Sequence, residues 1–272
     1  MVASTTTTVV KLGGELLEDV AAMGRMATAI CSLASSQRVV VVHGGGRTID
    51  ADLRARGLEP RFVDGLRITD EAALESVVAV LAGRTNTAFV GALHHAGVRA
   101  VGLTGADAGI GVADVAPRFT TTTGESVDLG RVGVPRESAM TLVQDLAGLG
   151  YVPVIASIGV STGGELLNVN ADTFAGHLAA SLRANRLIVA GGTAGVLDEA
   201  GATITTLTEE EIDRMITSGT AHSGMVAKLA ACRAALRGGV GHVAIVGAKG
   251  LSNFTDATGT QLVQAQESMG TR

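Results

Sequence analysis

The sequence predicts an α/β fold in which buried parallel strands end in glycine-rich loops. The stretch from Val39 to Arg47 reads VVVVHGGGR, so four valines run directly towards three consecutive glycines. A valine run without polar alternation suits a strand that is covered on both faces. An earlier β-prone run, Thr5 to Lys11, is followed by Gly13-Gly14. Apolar residues with helical spacing separate the two runs, which predicts a strand–helix–strand unit with a right-handed crossover.

The glycine loops are candidate anion sites. Gly44, Gly45 and Gly46 carry no Cβ, so their backbone N–H groups can turn towards a ligand. The following residues have helical composition, and the first N–H groups of a helix are unpaired at its positive end. A tight turn without a ligand is the alternative interpretation. Lys11 stands where the first strand stops, so its ammonium is expected in the same crevice at the carboxyl edge of the sheet.

Composition excludes several classes of protein. A chain of 272 residues with 46% hydrophobic content can bury one large core or two smaller ones. We found no apolar run of the ~18 residues that span a bilayer and no signal-peptide pattern, so a cytoplasmic protein without a membrane partner is predicted. Cys31 and Cys232 offer neither a metal-binding spacing nor a disulfide framework. A net charge of −5 with one tyrosine and no basic cluster speaks against a nucleic-acid partner.

The rest of the chain repeats strand and helix patterns. Helices are predicted where apolar residues recur at helical spacing, and strands where short β-prone runs lie between turn residues. Thr69 or Asp70 is a candidate cap for one helix, and Thr208 with Glu211 forms a capping-box pattern for another. The predicted helices are 15–35, 48–57, 71–82, 85–96, 138–149, 173–182, 208–218 and 226–237. The predicted strands are 5–11, 39–42, 100–103, 151–157, 187–190 and 243–246, with a projecting hairpin in 113–134.

Polar side chains near these elements are candidates for chemistry. Arg67 precedes a helix cap, and its rigid fork matches a carboxylate, although a solvated surface charge is the alternative. Asn168, Asn170 and Asp172 occupy alternate positions, so they project on one side of an extended segment. Asp172 could equally cap the helix that follows. Lys228 lies near the start of a later helix.

Six motifs carry a resemblance to a known family. In chain order they are VVKLGG, VVHGGG, DGLRITD, YVPVIASIGV, NVNAD and SGMVAK. Over Val9 to about Leu262 the sequence resembles the amino-acid kinase family, and within it the members that phosphorylate N-acetyl-L-glutamate. The resemblance implies an αβα sandwich around a central, largely parallel open sheet. It also implies two lobes, with residues 1–183 binding the acyl amino acid and forming the dimer contact, and residues 184–272 binding ATP.

The resemblance also implies roles for particular residues. Lys11 and Lys228 would stabilise the transferring phosphoryl group, and Asp172 would orient the two lysines. The implied substrate-binding residues are Gly14, Gly45, Gly46, Arg67, Asn168 and Asn170. The implied nucleotide-binding residues are Gly13, Gly192, Thr193, Gly195, Thr220, Ala221 and His222. No residue is implied as a metal ligand.

The implied reaction is transfer of a phosphoryl group from ATP, with Mg²⁺, to the γ-carboxylate of N-acetyl-L-glutamate, the second step of arginine biosynthesis. That carboxylate has a pKa near ~4.3, so it is anionic at pH 7 and needs no general base. The difficulty is charge repulsion, which positive groups and an in-line geometry relieve. The chain contains neither the P-loop pattern G-x-x-x-x-G-K-[ST] nor the dinucleotide pattern G-x-G-x-x-G.

One departure from the family pattern leaves alternatives open. The family usually has Thr/Ser-Asp-Val-x-Gly where this chain has Gly191-Gly192-Thr193-Ala194-Gly195. Either backbone N–H groups supply the nucleotide contacts here, or the ATP site is altered. A kinase for an N-acetylated or carrier-linked aminoadipate is one alternative function. A non-catalytic amino-acid-sensing domain that has lost nucleotide binding is another, against which the two lysines and Asp172 weigh.

The residues before the first predicted strand bear on the expected oligomeric state. Arginine-sensitive members of the family carry an extra helix before the first strand, and that helix interlaces dimers into a ring. Only about half a dozen polar residues precede the first predicted strand here, which is too few for such a helix. We therefore expect a homodimer with two-fold symmetry that arginine does not inhibit.

Overall fold

The computed structural model describes residues 6–121, 124–221 and 223–264. Its strands are β1 (Thr7–Leu12), β2 (Arg38–His43), β3 (Arg61–Val63), β4 (Leu66–Ile68), β5 (Ala100–Thr104), β6 (Ala113–Val115), β7 (Phe119–Thr120), β8 (Ser126–Val127), β9 (Val132–Pro135), β10 (Val152–Ala156), β11 (Ile158–Val160), β12 (Leu166–Val169), β13 (Arg186–Gly191), β14 (Thr206–Thr208), β15 (His242–Gly247) and β16 (Gly259–Val263). Its α-helices are α1 (Val20–Ala34), α2 (Gly46–Ala55), α3 (Glu71–Val78), α4 (Asn86–His95), α5 (Thr141–Gly148), α6 (Ala171–Ser181), α7 (Glu209–Thr217) and α8 (Ser223–Arg237).

One eight-stranded sheet runs through the protein in the order β14-β16-β15-β13-β1-β2-β10-β5. The β15–β16 pair is antiparallel and the other neighbouring pairs are parallel. The α/β class and the largely parallel sheet are therefore confirmed. The sheet is continuous across the predicted lobe boundary, because β1 pairs with β13 from Thr8–Arg186 to Leu12–Ala190.

The central strands are buried on both faces, as the valine run predicts. Val40 and Val42 of β2 belong to the core that α5, α6 and α8 cover, together with Phe174 and Leu229. The alternate residues Val39 and Val41 belong to the core on the opposite face. Helices α1 and α4 cover that second face. The result is a helix–sheet–helix sandwich whose crevices open at the carboxyl ends of the strands.

The two helices predicted at 71–82 and 85–96 form one continuous run. A π-helical segment, Ala79–Thr85, joins α3 to α4. An 18-residue window of this run has a mean hydropathy of 1.3, and 44% of that window is buried inside the protein. By length and composition alone the run could cross a bilayer, contrary to the prediction that the chain contains no such apolar run. Here Val77, Phe89 and Leu93 lie fully buried in the protein's own core, and the lack of a membrane partner stays a prediction.

Smaller strands form a cover beside the main sheet. A four-stranded sheet has the order β11-β12-β9-β6, and β3 pairs with β4 in a separate hairpin. The projecting hairpin predicted within 113–134 is present as the β6–β9 and β7–β8 antiparallel pairs. Strands β14 and β16 are absent from the predicted elements. The first helix begins at Val20 and not at Glu15, because Asp19 caps it by accepting a hydrogen bond from the Ala22 N–H.

Candidate active site

Two glycine loops touch at the carboxyl ends of β1 and β2. A Cβ on Gly14 would lie 2.7 Å from the Gly45 Cα, so the two backbones approach closely at this point. Helix α2 begins at Gly46, inside the glycine loop and two residues earlier than predicted. Its first hydrogen bond runs from the Ile49 N–H to the Gly45 carbonyl, so the N–H groups of its first turn remain available to an anion. The Gly44 N–H, by contrast, donates to the Leu12 carbonyl at 3.4 Å.

Lys11, Asp172 and Lys228 come together although they lie far apart in the sequence. The Lys11 Nζ is 2.9 Å from the Asp172 Oδ1, and the Lys228 Nζ is 3.2 Å from the same oxygen. The side chains of Lys11 and Asp172 are about nine-tenths buried. The sequence resemblance implies this constellation, and the fold brings all three residues together. Its net charge of +1 faces the crevice at the strand ends.

Helices α6 and α8 place Asp172 and Lys228. The Asn170 side chain caps α6 by accepting hydrogen bonds from the N–H groups of Asp172 and Thr173. Asp172 is therefore not the cap and stands on the first turn with its carboxylate free for the lysines. Gly176 lets α8 approach α6, because a Cβ there would lie 2.6 Å from the Ala231 carbonyl oxygen.

For each of these three groups, burial and the attraction of the oppositely charged partner shift the pKa in opposite directions. Burial lowers the pKa of Lys11, but the attraction and hydrogen bond of Asp172 outweigh it, so that pKa is raised. Burial raises the pKa of Asp172, but the two lysines outweigh it, so that pKa is lowered. The pKa of Lys228 is lowered by burial and by repulsion from Lys11, against the attraction of Asp172. Asp172 therefore holds two like charges together at one point.

A cleft of about 230 Å³ opens beside Lys11 and Asp172. Arg67 lines it and is 91% buried, since its relative exposure is 9%. Its Nη2 donates to the Asp50 Oδ1 at 2.5 Å and to the Gly46 carbonyl at 3.2 Å. Its Nη1 is buried and has no hydrogen-bond partner among the described residues. A buried guanidinium nitrogen without a hydrogen-bond acceptor lowers the free energy of unfolding. An anion that accepts from it would remove this cost, so the cleft is suited to a carboxylate.

The other residues predicted to bind the substrate line the same cleft. They are Gly14, Gly45, Gly46, Asn168 and Asn170. Asn168 donates its side-chain N–H to the Thr69 Oγ1 at 3.0 Å. The amide oxygen of Asn170 is used in the α6 cap, so this residue shapes the cleft while it caps the helix.

A larger cavity of about 570 Å³ lies on the other side of the lysine pair and is lined by Lys228. Gly192 and Thr193, two of the residues predicted to bind the nucleotide, line it. Glu15 lines both the larger cavity and the smaller cleft. The Lys11–Asp172–Lys228 group therefore faces two compartments, with one lysine on each.

Four of the remaining residues predicted to bind the nucleotide do not line the larger cavity. Gly13 lines the smaller cleft, and Gly195 packs against Thr260 in a turn with φ of 108°. Thr220 lines a groove along α7, and Ala221 is buried. His222 lies outside the described residues. The structure brings only part of the predicted set together.

Sequence reasoning missed three residues at the site. Asp50 holds Arg67, Phe62 lies under the Arg67 guanidinium at 4.6 Å from the ring centroid, and Glu15 bonds to Gly192. Glu15 directly follows the Gly13-Gly14 pair, and that adjacency was the available signal. Asp50 offers no motif of its own.

The fold and the paired lysines beside two cavities define the class of protein as a phosphoryl-transfer enzyme. The profile of the amino acid kinase family matches residues 6–247, and the chain belongs to this family.

Similar proteins include acetylglutamate kinases. The chain is 40% identical to the acetylglutamate kinase of Symbiobacterium thermophilum, with 95% of this chain and 92% of that protein covered. It is also 40% identical to the acetylglutamate kinase of Bradyrhizobium diazoefficiens, with 89% and 84% covered. Among solved structures, the N-acetylglutamate synthase from Neisseria gonorrhoeae, complexed with coenzyme A and N-acetyl-glutamate, matches with a TM-score of 0.81 at 26% identity. That match covers 95% of this chain and 59% of the synthase.

Proposed function

We propose that this protein is an ATP-dependent acetylglutamate kinase that phosphorylates the γ-carboxylate of N-acetyl-L-glutamate to N-acetylglutamyl 5-phosphate, in arginine biosynthesis. The observation that carries the proposal is the position of Lys11, Asp172 and Lys228 between two cavities. Similarity to acetylglutamate kinases over most of the chain supports the choice of substrate.

In the acceptor cleft, Arg67 is assigned to the α-carboxylate of the substrate. Arg67 lines the cleft, and its buried Nη1 has no partner among the described residues. Asn168 and the N-terminal N–H groups of α2 supply further donors. A substrate held by its α-carboxylate at this end presents its γ-carboxylate towards Lys11.

The chemistry needs positive charge at the reacting oxygens and no general base. The acceptor carboxylate is anionic at neutral pH, so the barrier comes from bringing it to a polyanionic nucleotide. Lys11 and Lys228 offset the charge that gathers on the transferring group, and Asp172 fixes where the two ammonium groups stand. Because Asp172 pairs with both ammonium groups, little reorganisation of the lysines is required during transfer.

The cofactor in this proposal is ATP with Mg²⁺. No cluster of three metal-ligating side chains occurs within the described ranges. That absence fits a cation held mainly by nucleotide phosphates, which is common for Mg²⁺. When bound, Mg²⁺ neutralises phosphate charge; the chain's own task is to hold the nucleotide next to Lys228.

A homodimer is also part of the proposal, as is a cytoplasmic location. Strand β5 lies at one end of the main sheet beside α4, in the N-terminal half of the chain. A two-fold contact through such an edge strand is a common arrangement. Light scattering tests it: a mass of twice 27.3 kDa supports the dimer, and a larger assembly or inhibition by arginine contradicts it.

The first prediction concerns the two lysines. We expect Lys11→Ala and Lys228→Ala each to lower kcat at least 100-fold, about 3 kcal/mol of transition-state stabilisation, with a smaller effect on KM. A coupled assay of ADP release measures both. Arg54→Ala on α2 is the control for the loss of a positive charge, because Arg54 is exposed and lines neither cavity. An unchanged kcat in either site variant contradicts the mechanism.

The same assay tests the substrate. We expect N-acetyl-L-glutamate to be phosphorylated with a higher kcat/KM than glutamate or N-acetylaminoadipate. A preference for the aminoadipate supports the longer acceptor. Absence of ADP release with all three, in a protein that still binds N-acetyl-L-glutamate, supports the non-catalytic sensor.

A further inference from the structure

Glu15 links the two glycine-rich loops that border the nucleotide cavity. Its Oε1 accepts a hydrogen bond from the backbone N–H of Gly192 at 2.8 Å. A Cβ on Gly13 would lie 2.5 Å from the carboxylate oxygens, and a Cβ on Gly191 would lie 3.3 Å from Oε1. The glycines at positions 13 and 191 therefore make room for this carboxylate between the ends of β1 and β13.

The Glu15 carboxylate lies between the cavity proposed for the nucleotide and the cleft proposed for the acceptor. Glu15 lines both the nucleotide cavity and the acceptor cleft, so it borders the path between them. The cavity is also lined by cations that attract a triphosphate, namely Arg25, Arg47, Lys228 and Lys249. At Glu15 itself, however, a metal-free triphosphate meets a like charge that already uses the Gly192 N–H. A triphosphate that carries a divalent cation instead offers positive charge to the same oxygens.

Other carboxylates around the cavity are committed elsewhere. Asp172 is held by two lysines, and Glu18 pairs with Arg47 at 3.5 Å. Asp19 caps α1. Within the described part of the chain, no ion pair within 4 Å involves Glu15. Its Oε2 packs against Gly13 and its charge attracts Lys11 without an ion pair, so this oxygen can also meet a cation.

We infer that Glu15 gives one carboxylate ligand to the divalent cation that accompanies the nucleotide, and so makes the site select the cation-loaded nucleotide over the metal-free one. The inference rests on the proposed function. Mg²⁺ is usually held by one or two carboxylates together with substrate phosphates. A single carboxylate from this chain is consistent with the absence of a three-residue metal cluster among the described residues.

Calorimetry on the full chain tests the inference without relying on activity. The probe is a non-hydrolysable imido analogue of ATP, titrated once with Mg²⁺ and once with a chelator. We expect Glu15→Gln to lower the ratio of the two affinities at least about tenfold, the scale on which groups around a metal act. The loss should lie in the Mg²⁺-loaded titration. Electron paramagnetic resonance of Mn²⁺ with the same analogue should show a changed spectrum in Glu15→Gln.

Glu18→Gln is the matched control, because it removes one carboxylate from the same stretch of chain. Its affinity ratio should stay within about twofold of the wild type. An unchanged ratio in Glu15→Gln overturns the inference. So does tighter binding of the Mg²⁺-loaded analogue, because the carboxylate then only competes with phosphate for the Gly192 N–H. If the wild-type chain binds neither form of the analogue, the proposed function itself fails.

Discussion

Arg67 lines the smaller cleft and is held by the protein through one of its two terminal nitrogens. Nη2 is held by Asp50 and by the Gly46 carbonyl, while Nη1 is buried without a partner among the described residues. Because the guanidinium is planar and rigid, fixing one nitrogen fixes the direction of the other. Asp50 is thus a positioning residue for the substrate, although it has no place in any sequence motif.

We predict that Asp50→Asn raises the KM for N-acetyl-L-glutamate about tenfold, the cost of weakening one charged hydrogen bond, while kcat falls less. Steady-state kinetics with the acyl substrate varied at saturating ATP measures the change. Asp52→Asn is the matched control, because Asp52 lies on the same helix as Asp50 but pairs with Arg84 and not with Arg67. If kcat falls and KM is unchanged, Asp50 does not act through Arg67.

The roles of some site residues can be predicted from sequence motifs, and the roles of others cannot. Lys11, Asp172 and Lys228 stand inside recognisable motifs, so their roles were inferred from resemblance and the fold brings them together. Asp50 and Glu15 act through contacts with Arg67 and Gly192 that depend on the tertiary arrangement. No local pattern encodes a contact between residues 15 and 192.

Where secondary elements meet, a buried histidine supports the glycine loop. His43 ends β2, and its Nδ1 lies 3.2 Å from the Gly44 carbonyl. Its Nε2 lies 3.1 Å from the Asn86 Nδ2 at the start of α4. Asn86 can only donate from that nitrogen, so the Nε2 accepts and the Nδ1 carries the proton. A neutral ring is required, and burial lowers the pKa of His43 to about 4 against the opposing Gly44 hydrogen bond.

This predicts a stability that depends on pH. An unfolded histidine has a pKa of 6.5 and the folded His43 about 4, so the unfolded chain binds the extra proton between these values. The contribution of His43 to the free energy of unfolding is complete above pH 6.5. It decreases by up to about 3 kcal/mol as the pH drops to 4. Urea unfolding at several pH values measures it. His43→Gln should flatten this part of the curve, whereas the exposed His95→Gln should not; equal slopes contradict the prediction.

Elements with strong patterns were predictable, and elements defined by context were not. The buried strands and the Thr208–Glu211 capping box are confirmed. The run from Glu71 to His95 looked like two helices because Gly83 and polar neighbours interrupt the apolar spacing. Packing of Val80 and Leu81 against α2 offsets the modest helical cost of one glycine. Strands β14 and β16 are short and partly polar, and pairing alone makes them strands.

At the scale of the whole molecule, the two predicted lobes share one sheet and the cores on both of its faces. Strand β1 pairs with β2 on one side and β13 on the other. Helices α6 and α8, which belong to different halves, pack closely at Gly176 and Ala231. The sequence pattern changes near residue 183, but a change of pattern does not show whether the sheet continues across it. The active site therefore depends on contacts between the halves.

We accordingly predict that Gly176→Ala destabilises the whole chain and slows catalysis. Its Cβ would lie 2.6 Å from the Ala231 carbonyl oxygen, so α8 must shift, at a cost of about 1–3 kcal/mol. The shift moves Lys228 relative to Asp172, so kcat should fall as well. Urea unfolding followed by circular dichroism and by Tyr151 fluorescence should give one coincident transition at a lower midpoint. Gly24→Ala in α1, where a Cβ meets nothing within 4 Å, should instead raise stability by about 0.5–1 kcal/mol. Two separate transitions, or a Gly176→Ala variant with wild-type kcat, would mean that the halves fold and act independently.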